Sequence, residues 1–272
     1  MKNSFIELKG KYPGTTSLIL AGIHGNEKCG LEALNQLLPS LKLERGRLII
    51  GLGNLRAIKN NTRYTEANLN RLFRDKKFLS SAQLASYEYR RAQTIKKYLN
   101  RADALLDLHS SRTPDSPAFV ICEARGRKIA NFLPANLVVS GFDAVEPGGT
   151  DSYMNARGKV GLCVECGYVN AASTTATAIK SIIGFLVAQK HIKNKVELYQ
   201  QTFIDVYLLH RAKSNNFQLQ KKFKDFEKVL KNQIIGRDGH ELLKAPQDSL
   251  IIFARESHKK GDEVFILGKK KA

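Results

Sequence analysis

Four side chains in this sequence have the types and the spacing of a catalytic metal site. His24 and Glu27 lie three residues apart in the loop after the aliphatic stretch SLILAGI. His109 ends the stretch ALLDLH, and Glu165 lies near the end of VGLCVEC. Two histidines and a carboxylate form the three-ligand set of a catalytic zinc ion, which leaves a fourth position for water. Glu165 then remains as a carboxylate that does not bind the metal and is available as a general base.

Each of these features also has an ordinary structural explanation. A single histidine after a strand is more often a hydrogen-bonded structural residue than a metal ligand, and an Asp-x-His sequence is usually incidental. In a strand, however, Asp107 and His109 point to the same face, so that Asp107 could orient a ligating imidazole. The loop with His24 and Glu27, His109, and Glu165 all fall at the carboxyl ends of predicted strands, where open α/β sheets bind ligands. Their convergence favours a metal site.

The elements that would position these residues alternate between strand and helix. Buried strands are predicted at 17–23, 47–54, 104–109, 117–122 and 160–166. Helices are predicted at 27–38, 81–99 and 173–192, and the polar segment 59–75 has the pattern of a long loop. This alternation indicates an α/β domain with a largely parallel sheet flanked by helices.

After about residue 200 the pattern changes to short β-like stretches separated by turns such as RDGH and KKGD. These stretches predict a small all-β domain at the C-terminus. We expect two domains, an α/β catalytic domain at 1–198 and a β-rich domain at 199–272.

Composition restricts the class of protein. The chain has 272 residues, 43% of them hydrophobic, and no apolar run approaches the roughly 18 residues that span a bilayer. We therefore expect no membrane partner. The N-terminus lacks a signal-peptide pattern, and the four cysteines are too scattered for a disulfide framework, so that a cytoplasmic location is expected. Cys163 and Cys166 form a single CxxC in the predicted strand of Glu165, which favours core packing.

The net charge of +19 is the unusual bulk property. Such an excess favours anionic partners, including nucleic acid and acidic small molecules. The basic residues are spread along the chain and no nucleic-acid-binding motif accompanies them, so that a solvated surface is the favoured interpretation. The sequence leaves open a homo-oligomer.

Four motifs together resemble the succinylglutamate desuccinylase/aspartoacylase family. They are HGNE at 24–27, NLNRLF at 68–73, DLHSS at 107–111 and VECG at 164–167. The order and approximate spacing agree across residues 18–190, and the β-rich tail resembles the family's C-terminal domain. The resemblance implies the zinc-carboxypeptidase fold and a zinc-dependent amidohydrolase activity.

The resemblance also implies roles for individual residues. His24, Glu27 and His109 would bind one zinc ion, and Glu165 would be the catalytic carboxylate. Five further residues would contact the substrate: Arg63 at the scissile carbonyl, Asn70 and Arg71 at a free carboxylate, and Tyr153 with Arg157 at an acidic side chain. An arginine fork suits a carboxylate because it binds both oxygens.

The sequence departs from the family pattern in three places. Asn68 stands where the family usually has aspartate, which removes a charge beside the site. No tyrosine follows Tyr207, although aspartoacylase uses one from its C-terminal domain, so that specificity for N-acetylaspartate is not supported. The stretch from Arg157 to Glu165 is shorter than in aspartoacylase.

We expect a zinc hydrolase that cleaves the amide of an N-acyl amino acid or a related small anionic substrate. The closest alternative is a zinc carboxypeptidase acting on peptides or cell-wall fragments. A protein of another class, a basic nucleic-acid- or anion-binding protein without catalysis, is the third hypothesis. The intact set of His24, Glu27, His109 and Glu165 argues against it.

Overall fold

The computed structural model describes residues 4–271. The strands are β1 Phe5–Lys9, β2 Tyr12–Ala21, β3 Arg45–Leu52, β4 Ala104–Ser111, β5 Phe119–Cys122, β6 Leu137–Ser140, β7 Val160–Tyr168, β8 Thr202–Arg211, β9 Phe217–Leu219, β10 Glu227–Val229, β11 Ile234–Asp238, β12 Glu241–Lys244, β13 Ser249–Ile252 and β14 Glu263–Lys270. The α-helices are α1 Cys29–Leu37, α2 Leu55–Asn60, α3 Ser81–Ala85, α4 Tyr87–Leu99, α5 Arg127–Ala130, α6 Phe142–Val145, α7 Thr150–Asn155 and α8 Thr174–Ala188.

One large mixed sheet runs through the molecule in the order β1-β3-β2-β4-β7-β5-β6-β8-β14-β13-β10. Strands β3, β2, β4 and β7 are parallel neighbours at its centre. β4 is buried throughout and β2 is buried over its second half, as expected for parallel strands that helices cover on both faces. Helices α1 and α8 pack on one face, where Leu34 and Phe185 join the core, and α4 covers the other face through Ile95 and Leu99.

The predicted α/β class is confirmed, and each of the five predicted strands overlaps an observed one. The predicted helix 81–99 is instead two helices, because Ser86 has an extended backbone and its hydroxyl accepts from the Tyr89 amide to begin α4. Within the predicted loop 59–75 there is a short 3₁₀ turn at Leu69–Arg71, and a second one, Lys76–Phe78, follows the loop. The edge strand β1 was not predicted.

The C-terminal part contains only strands after α8 among the described residues. A small antiparallel sheet, β12-β11-β9, lies beside the extension of the large one. Strand β8 pairs in parallel with β6 and antiparallel with β14, so that sheet hydrogen bonding continues past residue 199. The two-domain division at that residue remains a prediction. Within residues 4–271, none of the helices has the length and apolar character needed to cross a bilayer.

Candidate active site

Three adjacent parallel strands deliver the predicted site residues to one edge of the sheet. β2 ends just before His24, β4 contains His109, and β7 contains Glu165. In the register of β4 with β7, His109 lies opposite Glu165. The carboxyl ends of these strands therefore bring residues from three distant segments together, at the edge where open α/β sheets bind ligands.

The loop between β2 and α1 makes a tight turn. Gly22 has a φ of +72°, a left-handed conformation that glycine adopts without strain. Gly25 contacts the backbone of α2 so closely that a Cβ there would lie 2.0 Å from the Ala57 carbonyl carbon. This turn places His24 and Glu27 side by side before α1 begins.

His24, Glu27 and His109 form a buried cluster. Glu27 Oε1 lies 2.8 Å from His24 Nδ1, and Glu27 Oε2 lies 2.8 Å from His109 Nδ1. The two Nδ1 atoms are 3.2 Å apart. All three side chains are at most 4% exposed. Three potential ligand atoms thus face one another within a closed part of the protein.

The hydrogen bonds of Asn68 define the tautomer of His24. Asn68 Oδ1 accepts from the backbone N–H of Asn70 at 3.1 Å, which identifies it as the oxygen, and it lies 3.1 Å from His24 Nε2. His24 Nε2 must therefore carry the proton, which leaves the Nδ1 lone pair free for a ligand. Asn68 thus orients His24 without the charge that an aspartate would have.

Glu27 and His109 also contact residues outside the cluster. Glu27 Oε2 accepts from the Ser110 amide at 3.3 Å. His109 Nε2 lies 3.2 Å from Asp107 Oδ2, although the orientation is not that of a hydrogen bond. The position of Asp107 agrees with the prediction that it lies on the same strand face as His109.

This donor set fits a zinc ion. Imidazole nitrogen and carboxylate oxygen are ordinary zinc ligands, and ligand atoms around a tetrahedral zinc with bonds of about 2.0–2.1 Å lie about 3.3 Å apart. The observed separations of 2.8–3.2 Å are close to this value. Among the described residues this is the only His/Cys/Asp/Glu group with such convergence.

Glu165 lies beside the cluster without belonging to it. Its side chain is buried, and its Oε2 atom has no hydrogen-bond partner in the protein. Burial and the nearby Glu27 carboxylate raise the pKa of Glu165 to about 8. A buried carboxylate with an unused oxygen next to a candidate metal site is a suitable proton acceptor.

Arg63 also reaches the cluster, where its Nη1 donates to Glu27 Oε1 at 2.9 Å. The loop that carries it is held by Glu88, a fully buried carboxylate at the start of α4. Glu88 Oε1 accepts from the Thr65 amide at 2.8 Å, from Thr65 Oγ1 at 2.6 Å and from Asn54 Nδ2 at 3.0 Å. Glu88 was missed because it lies in a helical segment, far from any motif. A charged residue on the buried face of the predicted helix was the available signal.

The three cluster residues, together with Glu165 and Arg63, line a cavity of about 760 Å³. Its wall includes C-terminal residues of both kinds, apolar ones such as Phe223 and Phe253 and charged ones such as Arg255 and Glu263. Asp225 attaches this part to the end of β4, because its carboxylate accepts from Ser111 Oγ at 2.8 Å and from Thr113 Oγ1 at 3.1 Å. The C-terminal strands therefore cover the edge of the sheet at which the cluster lies.

Asn70 and Arg71 line this cavity as well. Asn70 Oδ1 accepts from the Thr150 amide at 3.2 Å. Arg71 Nε and Nη2 donate to the two oxygens of Glu263 at 2.9 and 2.7 Å, and Nη2 also contacts the carboxylate of Glu146. The arginine expected to hold a substrate carboxylate is thus bound by two carboxylates of the protein.

The structure does not bring Tyr153 and Arg157 to the cavity. Tyr153 lies in α7, and Arg157 lies in the turn that follows it. Tyr153 is only 7% exposed, contacts Phe73 and donates from its hydroxyl to Asn100 Oδ1 at 2.9 Å. The Arg157 guanidinium stacks 3.5 Å from the Tyr153 ring centroid. The tyrosine spacing matched the family pattern, but α7 turns this side chain into the core.

The four cysteines are buried and free. Cys166 packs in the main core, in agreement with the sequence interpretation, and Cys122 packs there as well. Cys163 is buried too, and its side chain also lines the cavity near Glu165, because the two residues share a strand face.

Fold and site together define an α/β protein with a candidate metal cluster at the carboxyl edge of its parallel strands. The model of the succinylglutamate desuccinylase/aspartoacylase catalytic domain matches residues 13–185, and the chain belongs to this family. The succinylglutamate desuccinylase of Shewanella baltica (strain OS185) is 25% identical over 265 residues, which cover 86% of this chain and 76% of the relative. The enzyme of the same name from Pseudomonas putida is 32% identical over 145 residues, 48% of this chain and 42% of the relative.

Solved structures show the same fold. Succinylglutamate desuccinylase from Vibrio parahaemolyticus superposes with a TM-score of 0.80 at 18% identity, covering 98% of this chain and 86% of the other. The product-bound ectoine utilization protein EutE from Ruegeria pomeroyi superposes with a TM-score of 0.73 at 22% identity, covering 97% of this chain and 88% of the other. At these identities the likeness concerns the fold alone.

Proposed function

We propose that this protein is a zinc-dependent hydrolase that cleaves the amide bond of an N-acyl amino acid or a similar small carboxylate substrate. The observation that carries the proposal is the buried convergence of His24, Glu27 and His109, with Glu165 directly beside His109. Family membership supports the deacylase type of reaction. The donor chemistry of the cluster supports zinc.

Bound by the three ligands, zinc would supply Lewis acidity that activates water and polarises the amide carbonyl. Glu165 accepts the proton of the attacking water through its free oxygen and passes it to the leaving nitrogen. Arg63 presents the rest of its guanidinium to the cavity and stabilises negative charge on the carbonyl oxygen. Asn68 keeps His24 in the tautomer that binds metal.

The cavity supports a small substrate. Its volume of about 760 Å³ lies in the range typical of small-molecule sites, roughly 300–1,000 Å³. The C-terminal strands supply part of its wall, which limits the room for a long peptide. The net charge of +19 would also raise the local concentration of anionic substrates.

Zinc content and hydrolysis together test the proposal. The purified protein should contain about one zinc per chain, and a chelator should abolish hydrolysis across a panel of N-acyl amino acids. Cleavage of C-terminal residues from peptides, with no turnover of N-acyl amino acids, would instead favour the carboxypeptidase. Steep salt-dependent DNA binding by a protein without zinc or turnover would favour the non-enzymatic hypothesis.

Three variants assign the roles. His109→Ala should lose both zinc and turnover, whereas Glu165→Gln should keep zinc and lose turnover. His240→Ala is the matched control, because this histidine is exposed in the turn between β11 and β12. Full activity of Glu165→Gln would remove Glu165 from the role of general base.

A further inference from the structure

The arginine expected to receive a substrate carboxylate has little donor capacity left. Of the five N–H groups of Arg71, Nε and one on Nη2 donate to Glu263, and one on Nη1 donates to the Asn70 carbonyl at 2.8 Å. Nη2 also contacts Glu146. Glu263 occupies the Nε–Nη2 edge of the guanidinium, which is one of the two edges that can bind a carboxylate through two parallel hydrogen bonds.

Carboxyl groups of the protein already occupy the surroundings of Arg71. Glu146 and Glu263 are 10% and 21% exposed and both contact the Arg71 guanidinium, while Glu263 also pairs with Arg211 at 2.9 Å. Burial raises the pKa of Glu146 to about 8 despite the nearby Arg71. A substrate carboxylate at this place would have to displace the tethered Glu263 carboxylate, which Arg71 and Arg211 both hold. The Arg71 end of the cavity is better described as a fixed wall than as an anion site.

Two other arginines line the same cavity without an acidic partner. Arg112 and Arg255 form no ion pair with any residue between 4 and 271, and both are exposed at the cavity. Arg255 Nε donates only to a backbone carbonyl, that of Glu263, at 2.7 Å. Arg112 comes three residues after His109 in the chain, so that its backbone lies close to the candidate metal cluster.

The charges of Arg63, Arg112 and Arg255 repel one another. Partial burial lowers the pKa of Arg112, and the nearby Arg63 and Arg255 lower it further. Arg63 alone has a carboxylate partner, Glu27. When an anion binds between unpaired like charges that line a cavity, its attraction to them offsets their mutual repulsion. Arg112 and Arg255 therefore offer unpaired positive charge next to the cluster, whereas Arg71 is already paired.

We propose that Arg112 and Arg255 bind the anionic group of the substrate, in place of Arg71. The inference rests on the proposed function and specifies its substrate class, an N-acyl compound whose carboxylate lies at the cavity opening, on the side of Arg63. Arg71, Glu146 and Glu263 then form a wall that joins the C-terminal strands to the catalytic part. Arg112 and Arg255 are specificity-determining residues in this arrangement.

Kinetics on matched substrates test this assignment. For an N-acyl amino acid and its α-carboxamide, the ratio of the two kcat/KM values measures recognition of the carboxylate. The ratio should fall about tenfold or more in Arg112→Gln/Arg255→Gln, because charge-assisted hydrogen bonds are lost. Lys222→Gln removes a charge from the same cavity wall and should leave the ratio within about twofold of wild type.

A second double variant tests whether Arg71 binds the carboxylate instead. Arg71→Gln/Glu263→Gln removes a bound pair together, so that the variant does not leave Glu263 unpaired. If the ratio falls in this variant and is unchanged in Arg112→Gln/Arg255→Gln, Arg71 binds the carboxylate and the inference is wrong. An equal fall in Lys222→Gln would also overturn it, since general charge would then explain the effect.

A binding measurement separates this inference from the proposed function. Calorimetric titration with succinate, a dicarboxylate probe, requires no turnover. If no N-acyl compound is hydrolysed, the proposed function fails, yet succinate should still bind wild type and Lys222→Gln, and about tenfold more weakly to Arg112→Gln/Arg255→Gln. Equal affinity for all three proteins, or no binding to wild type, would overturn the arginine site.

Discussion

His24 Nε2 and Asn68 Oδ1 lie 3.1 Å apart, and the same oxygen accepts from the Asn70 amide. This pair determines which nitrogen of His24 can bind a metal, because the proton is held on Nε2. A neutral amide thus performs the orienting role for which the family usually has an aspartate. The arrangement leads to the first of four predictions.

Asn68→Ala should weaken zinc binding about 10- to 100-fold, because His24 loses the partner that fixes its ring. Competition with a chromophoric chelator measures the affinity. Asn68→Asp is the matched control, since it keeps an acceptor at the same place and should bind zinc at least as well as wild type. Equal zinc affinity in Asn68→Ala and wild type would show that Asn68 does not position the imidazole.

Glu88→Gln should destabilise the protein by about 1–3 kcal/mol and lower kcat/KM. The substitution exchanges an acceptor for a donor among several N–H and O–H donors, and the loop they belong to carries Arg63. Urea unfolding gives the stability, and hydrolysis of the best substrate gives kcat/KM. Lys180→Gln, at an exposed position on α8, should change the free energy of unfolding by no more than about 0.5 kcal/mol. Unchanged kcat/KM in Glu88→Gln would mean that Arg63 does not depend on this support.

Gly25→Ala should disturb the zinc site from a position that offers no ligand. The added Cβ would lie 2.0 Å from the Ala57 carbonyl carbon, so that the loop between His24 and Glu27 must move. We expect a loss of about 1–3 kcal/mol of stability, as for other overpacked sites, together with reduced zinc content. Thermal unfolding and metal analysis measure the two effects. Wild-type zinc content and melting temperature would contradict the close contact.

Stability should depend on pH through Asp238 in the C-terminal strands. Its carboxylate accepts from the amides of Lys213 at 2.7 Å and Ser214 at 2.9 Å, and from Ser214 Oγ at 2.6 Å. Although burial opposes ionisation, these hydrogen bonds lower the pKa of Asp238 to about 2. Because the pKa is lower in the folded state, the stabilisation is present above the unfolded value of about 3.9 and is lost as the pH falls towards 2.

Asp238→Asn should therefore be less stable than wild type by about 1–2 kcal/mol at pH 7, and the difference should narrow between about pH 4 and pH 2. Urea unfolding at a series of pH values measures it. Asp248→Asn serves as the control, because this aspartate lies in an exposed turn. A difference that stays constant down to pH 2 would contradict the lowered pKa.

Much of the candidate site follows from sequence because it depends on local pattern. Aliphatic runs such as SLILAGI predict buried parallel strands, and the residues after such strands meet at one edge. The prediction that His24, Glu27, His109 and Glu165 lie at this edge needed only the strand assignments, whereas the structure shows that their strands are neighbours. The ends of helices were less predictable, as at Ser86, where a serine side chain caps a second helix within one amphipathic pattern.

Only the tertiary structure determined which charged side chains form ion pairs. Arg71 and Glu263 are 192 residues apart in the chain, and nothing in the local sequence indicates that they pair. Tyr153 has a suitable spacing for substrate contact, but the packing of α7 turns its ring towards Phe73. Strand and helix patterns record which face of an element is buried. The partner of a charged side chain instead depends on how distant elements pack, and this determines which arginines remain free for a substrate.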